Sequence, residues 1–155
     1  LVKFMLISTY SKMIKNLVLK YGLYIAWFQA LISMIGSLVF SEFMKFAPCL
    51  LCWYQRIAMY PLVLILAIGI SRKDKNVVWY ALPFSLIGTV IAVYHNLMYY
   101  KIIPQEIAPC EIGASCFTKY IDWFGFITIP LLALIAFIII DVILYLYLTY
   151  TKKDE

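Results

Sequence analysis

Four cysteines stand in two close pairs, Cys49/Cys52 in "PCLLCWYQR" and Cys110/Cys116 in "APCEIGASCFTKY". Two such pairs can be two disulfides, can pass electrons between a dithiol and a disulfide, or can hold one metal ion on four sulfurs. The compartment they face decides among these, because disulfides persist on the oxidising side of a membrane.

The first pair carries its own local chemistry. Pro48 suits the first turn of a helix, where a missing N–H costs nothing. Cys49 and Cys52 then occupy the opening turns, where free backbone N–H groups and the positive dipole end favour a thiolate. The thiolate is the species that exchanges disulfides or donates electrons. Three-residue spacing sets both sulfurs on one helix face. Arg56 follows Cys52 by four residues and Cys49 by seven, continuing that stripe. An arginine here can snorkel to lipid headgroups, or it can supply a fixed positive charge beside a redox-active sulfur. An ionisable residue just inside a span marks a functional site by default, and we take the second reading.

Pro109 precedes the second pair and the turn-forming Gly113 lies between its two cysteines, so the pair belongs to a loop. Gly113 supplies the backbone freedom to bring the two sulfurs together. Alone, the pair would be a structural staple; beside the first pair it reads as half of a relay. His95, the single histidine, lies in "AVYHNLMYYKIIP". It is either a packed, hydrogen-bonded side chain or a donor and proton carrier for a bound carbonyl. Asn96 and Gln29 can be satisfied by neighbouring helices. Asp141, in "FIIIDVILY", reads as a hydrogen-bonded structural carboxylate toward the cytoplasmic end of the last span.

The elements that must position these groups follow from composition. The 155 residues are 65% hydrophobic and 14% charged, against about 45–50% and about 25% in ordinary soluble domains. Backbone polar groups in lipid are satisfied only in helices or closed barrels, and the apolar runs are continuous rather than alternating. The fold class is therefore all-α: an integral membrane bundle of four transmembrane helices, in one domain over 1–155. The spans are expected near 21–40, 50–70, 77–100 and 123–147, each long enough for a hydrocarbon core of about 30 Å. The stretches 41–49 and 101–122 are expected as loops carrying the redox residues. The opening "LVKFMLISTYSKMIKN" lacks the apolar core and cleavage site of a signal peptide, so the first span can serve as an uncleaved start-transfer helix.

Orientation is read from lysine and arginine. Nine of the 13 lie in the N-terminal segment, the "SRKDKN" turn and the tail; Lys45, Arg56, Lys101 and Lys119 lie on the other side. The positive-inside rule puts both termini in the cytoplasm and both cysteine pairs outside. Basic residues flanking apolar segments exclude a nucleic-acid surface, even with a net charge of +5. An oxidising location and the wide spacing of the second pair also argue against a four-cysteine metal site, and no metal is expected.

Electrons arriving as thiols need an exit. The sequence has no C-x-x-C-H haem motif, no glycine-rich nucleotide loop and one histidine. A membrane-dissolved quinone needs only an apolar crevice with one or two polar groups at its carbonyls, which Arg56 and His95 could supply.

"CLLCWYQR" at the head of a span, an outer loop with a second cysteine pair, and "YIDWFGFITIP" opening the last span resemble the disulfide bond formation protein B (DsbB) family. The short second loop is most similar to its BdbC-type branch. The resemblance runs from the first span to the fourth. It implies a four-helix protein of the cell membrane, with its redox loops facing the extracytoplasmic side. Such a protein reoxidises a thioredoxin-fold thiol–disulfide oxidase and passes the electrons to menaquinone or ubiquinone. By position, it implies that Cys49 and Cys52 are in redox contact with the quinone, with Cys52 nearest the ring. Arg56 would be the charge on the quinone side, and His95 would lie near it. Cys110 would form the mixed disulfide with the partner and Cys116 would communicate with Cys49. Two other readings stand beside this one: a disulfide-stabilised membrane scaffold, distinguished by redox inertness, and a vitamin-K-epoxide-reductase-like quinone reductase. The latter is disfavoured because its C-x-x-C belongs on the last span.

Overall fold

A computed structural model describes residues 2–102 and 128–152. Cys110 and Cys116 lie outside the described residues. The described chain is helical, with four helices long and apolar enough to cross a membrane and no strand among the described residues. Helix α1 runs Val2–Leu38 and passes directly into a π-helical turn, Val39–Phe43. Helices α2, α3 and α4 span Leu50–Arg72, Val77–Tyr99 and Ile129–Lys152. A 23-residue helix is about 34 Å long, enough for the hydrocarbon core.

Four expectations change in detail. The first helix starts at Val2 rather than near residue 21, since no proline or glycine interrupts the basic N-terminal segment before Gly22. The expected loop 41–49 begins as helix, because the π-turn carries α1 to Phe43. Pro48 lies one residue before the cap rather than in the first turn, and Cys49 is itself the cap of α2. Asp141 stands near the middle of α4, which continues to Lys152.

Each helix packs on two neighbours, α1 on α2 and α4, and α3 on α2 and α4, closing a four-helix ring. The buried positions of α3 include a seam through Val78, Ala81, Ser85, Gly88, Ala92 and His95, alternating three and four residues apart as a bundle seam requires. Helix α2 repeats the pattern through Leu51, Gln55, Ala58, Leu62, Leu66 and Gly69. Small residues let the backbones approach: a Cβ on Gly88 would run into the Phe137 ring, and one on Gly69 into Val77. The opposite faces are exposed and apolar, with Ile57, Leu64, Val90, Val142 and Tyr145 among them. In water such a girdle would be an association surface; in lipid it is the solvent-facing side.

Three helices end on a lysine in the left-handed region, Lys45, Lys73 and Lys101. After Lys73, the Asp74 N–H reaches back to the Gly69 carbonyl at 2.9 Å, and after Lys101 the Ile102 N–H reaches Leu97 at 2.9 Å. These are helix-closing turns that usually take glycine. Lysine accepts the conformation there while setting a positive charge against the negative helix end. In mid-bundle, the Thr89 hydroxyl donates to Asp141 Oδ2 at 2.5 Å, tying α3 to α4.

Candidate functional site

The N-terminus of α2 meets the C-terminal halves of α1 and α3 and the start of α4 around a cavity of about 320 Å³. Its apolar walls include Phe40, Phe46, Met59 and Phe137, and its polar ones include Cys49, Cys52, Gln55, Arg56 and His95. Of the six residues to which the sequence assigns redox or quinone roles, Cys49, Cys52, Arg56 and His95 thus line one space, together with Gln29. Cys110 and Cys116 fall outside the described residues.

Local structure explains the placement. Cys49 caps α2 with extended backbone, and its sulfur accepts the Cys52 N–H at 3.4 Å. That bond satisfies one of the orphan donors at the helix start, a task usually given to serine or aspartate. The two sulfurs are 3.0 Å apart, both as free thiols. His95, buried on the α3 seam, brings Nε2 to 3.7 Å from the Cys49 sulfur. Cys49, just outside the helical span, has its pKa drawn well below the ordinary thiol value. The hydrogen bond from Cys52 contributes most; burial opposes it, and the His95 ring lowers the pKa again.

Arg56 is held rather than free. Its Nε donates to Ser37 Oγ and one Nη to the Ser37 carbonyl, both at 2.9 Å, and the guanidinium lies over the Trp53 ring at 5.4 Å. Ser37 stands at the end of α1, just before the π-turn, so the arginine joins α2 to α1. A guanidinium carries five N–H donors; the two given to Ser37 leave three.

Sequence reasoning missed Gln55. It is buried, and its amide nitrogen lies 3.3 Å from His95 Nδ1. The signal was present, since Gln55 follows Cys52 by three and shares its helix face. It also missed Ser37, which has no distinguishing context in "IGSLVF", and Tyr60, which lines the cavity with its hydroxyl buried and without a hydrogen-bond partner among the described residues. Asn96 plays a structural part, its amide donating to the Ala92 and Pro130 carbonyls at 2.8 Å each. This joins α3 to the start of α4, whose first turn Thr128 caps through the Leu131 N–H at 3.4 Å.

The family model described as "Disulfide bond formation protein DsbB" matches residues 20–148. The chain belongs to the DsbB family. It is thereby a multi-pass membrane protein of a redox family concerned with disulfide bond formation. It is 53% identical over 135 residues to the "Disulfide bond formation protein C" of Bacillus subtilis (strain 168), covering 86% of this chain and 95% of that one. It is 49% identical over 140 residues to the "Probable disulfide formation protein C 2" of Bacillus anthracis, covering 90% of this chain and 99% of that one. A "Probable disulfide formation protein" of Metapseudomonas resinovorans is 47% identical over 123 residues, covering 79% of this chain and 85% of that one. The two Bacillus relatives agree with the C-type branch expected from the sequence. No solved structure matches this chain.

Proposed function

We propose that this chain is a thiol–quinone oxidoreductase of the cytoplasmic membrane, with both termini in the cytoplasm and both cysteine pairs outside. Its substrates are the dithiol form of a thioredoxin-fold oxidase and a membrane quinone, menaquinone or ubiquinone. The observation that carries the reading is the meeting of Cys49, Cys52, Arg56 and His95 around one mostly apolar cavity inside a membrane bundle.

The residues suit a quinone head group. Aromatic and aliphatic walls would take the flat ring, while among the described residues Arg56 keeps three donors and Tyr60 has an unpartnered hydroxyl. About 320 Å³ lies at the low end of small-molecule pockets, about 300–1,000 Å³, which suits a head group with its tail in lipid. The quinone supplies a two-electron, two-proton acceptor.

In this reading a partner thiolate attacks the Cys110–Cys116 disulfide at Cys110, forming a mixed disulfide and freeing Cys116. The partner's second thiol then resolves the mixed disulfide, so the partner leaves oxidised and the loop pair holds two electrons and two protons. Exchange through Cys116 and Cys49 moves them to the first pair, restoring the loop disulfide. Cys49 and Cys52 return to a disulfide as the pair gives two electrons to the acceptor. His95, with Gln55 at its far nitrogen, is placed to move a proton at the Cys49 sulfur. Arg56 orients the acceptor and offsets negative charge developing on it.

The test is quinone reduction by purified protein supplied with a reduced thioredoxin-fold partner. Serine at any of the four cysteines should abolish it; full quinone reduction by Cys52→Ser would remove the mechanism.

A further inference from the structure

The sulfurs assigned to electron transfer are also soft metal ligands, and a third donor stands beside them. Cys49 Sγ, Cys52 Sγ and His95 Nε2 all lie within 4.8 Å of one another, with Cys49 and His95 buried. The Sγ–Sγ separation is 3.0 Å and the Cys49–His95 separation is 3.7 Å. With bonds of about 2.3 Å to sulfur and about 2.0–2.1 Å to nitrogen, tetrahedral angles set donor atoms about 3.5–3.8 Å apart. Side-chain adjustments of about 1 Å therefore convert the thiol pair and the ring into three corners of a tetrahedron.

Two further observations point to a ligand. The His95 ring is oriented from behind by the Gln55 side chain, 3.3 Å from Nδ1, the outer-shell support that metal-bound histidines carry. Ligation through Nε2 places the proton on Nδ1, and Gln55 meets it by turning its amide oxygen inward. All three donors also line the cavity, which leaves the fourth corner open. Two thiolates and an imidazole with one open corner form an established zinc donor set. The side-chain hydrogen bonds that Arg56 makes among the described residues go to Ser37 and not to either sulfur.

We propose that the reduced Cys49–Cys52 pair and His95 form a site for one thiophilic divalent cation of the zinc type. Binding forms two metal–sulfur bonds and releases whatever protons the two sulfurs still hold, with no electron transferred. Oxidation of the pair to a disulfide consumes both sulfur ligands, so the metal and the disulfide exclude each other. A cation held here would stop electron delivery to the cavity; that consequence rests on the function proposed above, whereas the site does not.

Cobalt(II) is the probe, as a spectroscopic substitute for zinc. The full chain carrying Cys110→Ser and Cys116→Ser, which removes the other sulfurs, is reduced in detergent and titrated with Co²⁺. The expected result is a single equivalent bound, with thiolate-to-cobalt charge transfer and the intense visible bands of a tetrahedral site, displaced by Zn²⁺. Cys52→Ser should abolish the spectrum, and Gln55→Leu should weaken binding by about 10–100-fold. The same protein oxidised with diamide, which accepts the two thiol electrons and protons, should take up no cobalt, and this control needs no substitution in the site. The absence of a thiolate–cobalt spectrum from the reduced protein overturns the proposal. So does a spectrum and affinity unchanged by His95→Ala. If the cavity takes no quinone, the cobalt spectrum should still appear. If cobalt fails to bind, quinone reduction by the unsubstituted chain is unaffected, so the two readings fail separately.

Discussion

The two halves of the bundle are built from the same four helices and solve opposite problems. Around Leu62, Leu66, Val78, Ile140 and Leu144 the side chains are almost completely buried, and glycines at 69 and 88 let neighbours close in. Around Cys49, Gln55, Arg56 and His95 the same helices leave a cavity and place polar groups on its walls. The seam spacing does not change between them; residue type does. Where α3 carries alanine and glycine, the helices touch. Where it carries His95, and α2 carries Cys52 and Gln55, they hold a site. The packed half maintains the helix positions, and the hollow half uses them.

Substitutions in the two halves should therefore separate stability from turnover. The largest expected effect is Cys52→Ser, which should abolish quinone-dependent oxidation while leaving the thermal unfolding midpoint close to the parent's. Leu66→Ala, in the packed half, should lower unfolding stability by about 2–5 kcal/mol with the KM for quinone unchanged. A raised KM in that variant would show that the halves are coupled. Arg56→Ala should do the reverse. Loss of a charge-assisted contact of about 1.5–3 kcal/mol corresponds to a KM for quinone raised about tenfold or more, with the KM for the protein partner unaltered. Arg56→Lys should not rescue it, because a point charge cannot reproduce the fork on Ser37.

A finer probe is the pH dependence of Cys49 alkylation, followed by mass mapping in the Cys110→Ser/Cys116→Ser background. Because its folded pKa is depressed, Cys49 should remain a reactive thiolate as pH falls below the value at which free cysteine stops reacting. Labelling should be lost only as pH passes below the folded pKa. His95→Ala removes one of the lowering contacts and should move that threshold upward. The smallest effect is expected from Thr89→Val, which deletes the Asp141 contact. Hydrogen bonds between membrane helices contribute about 0.6 kcal/mol on average and about 1.7 kcal/mol at most. The change should appear in stability and not in either KM.

Much of this was legible in residue order. Composition and continuous apolar runs require membrane helices, since lipid offers the backbone no other partner. "CLLCWYQR" requires two sulfurs and an arginine on one helix face, since helical periodicity is local. These statements depend on residues a few positions apart, so no tertiary information is needed. What the tertiary structure decided lies between distant segments. Gln55 and His95 are 40 residues apart, Cys49 and His95 46, Thr89 and Asp141 52, and Arg56 finds Ser37 across a turn from 19 residues away. Such pairs depend on how each helix is rotated about its axis and how far it slides along its neighbour. Those two degrees of freedom are set by packing of the whole seam, through contacts such as Gly88 on Phe137. The sequence therefore determined which groups are available for redox chemistry, and helix packing decided which of them share one cavity.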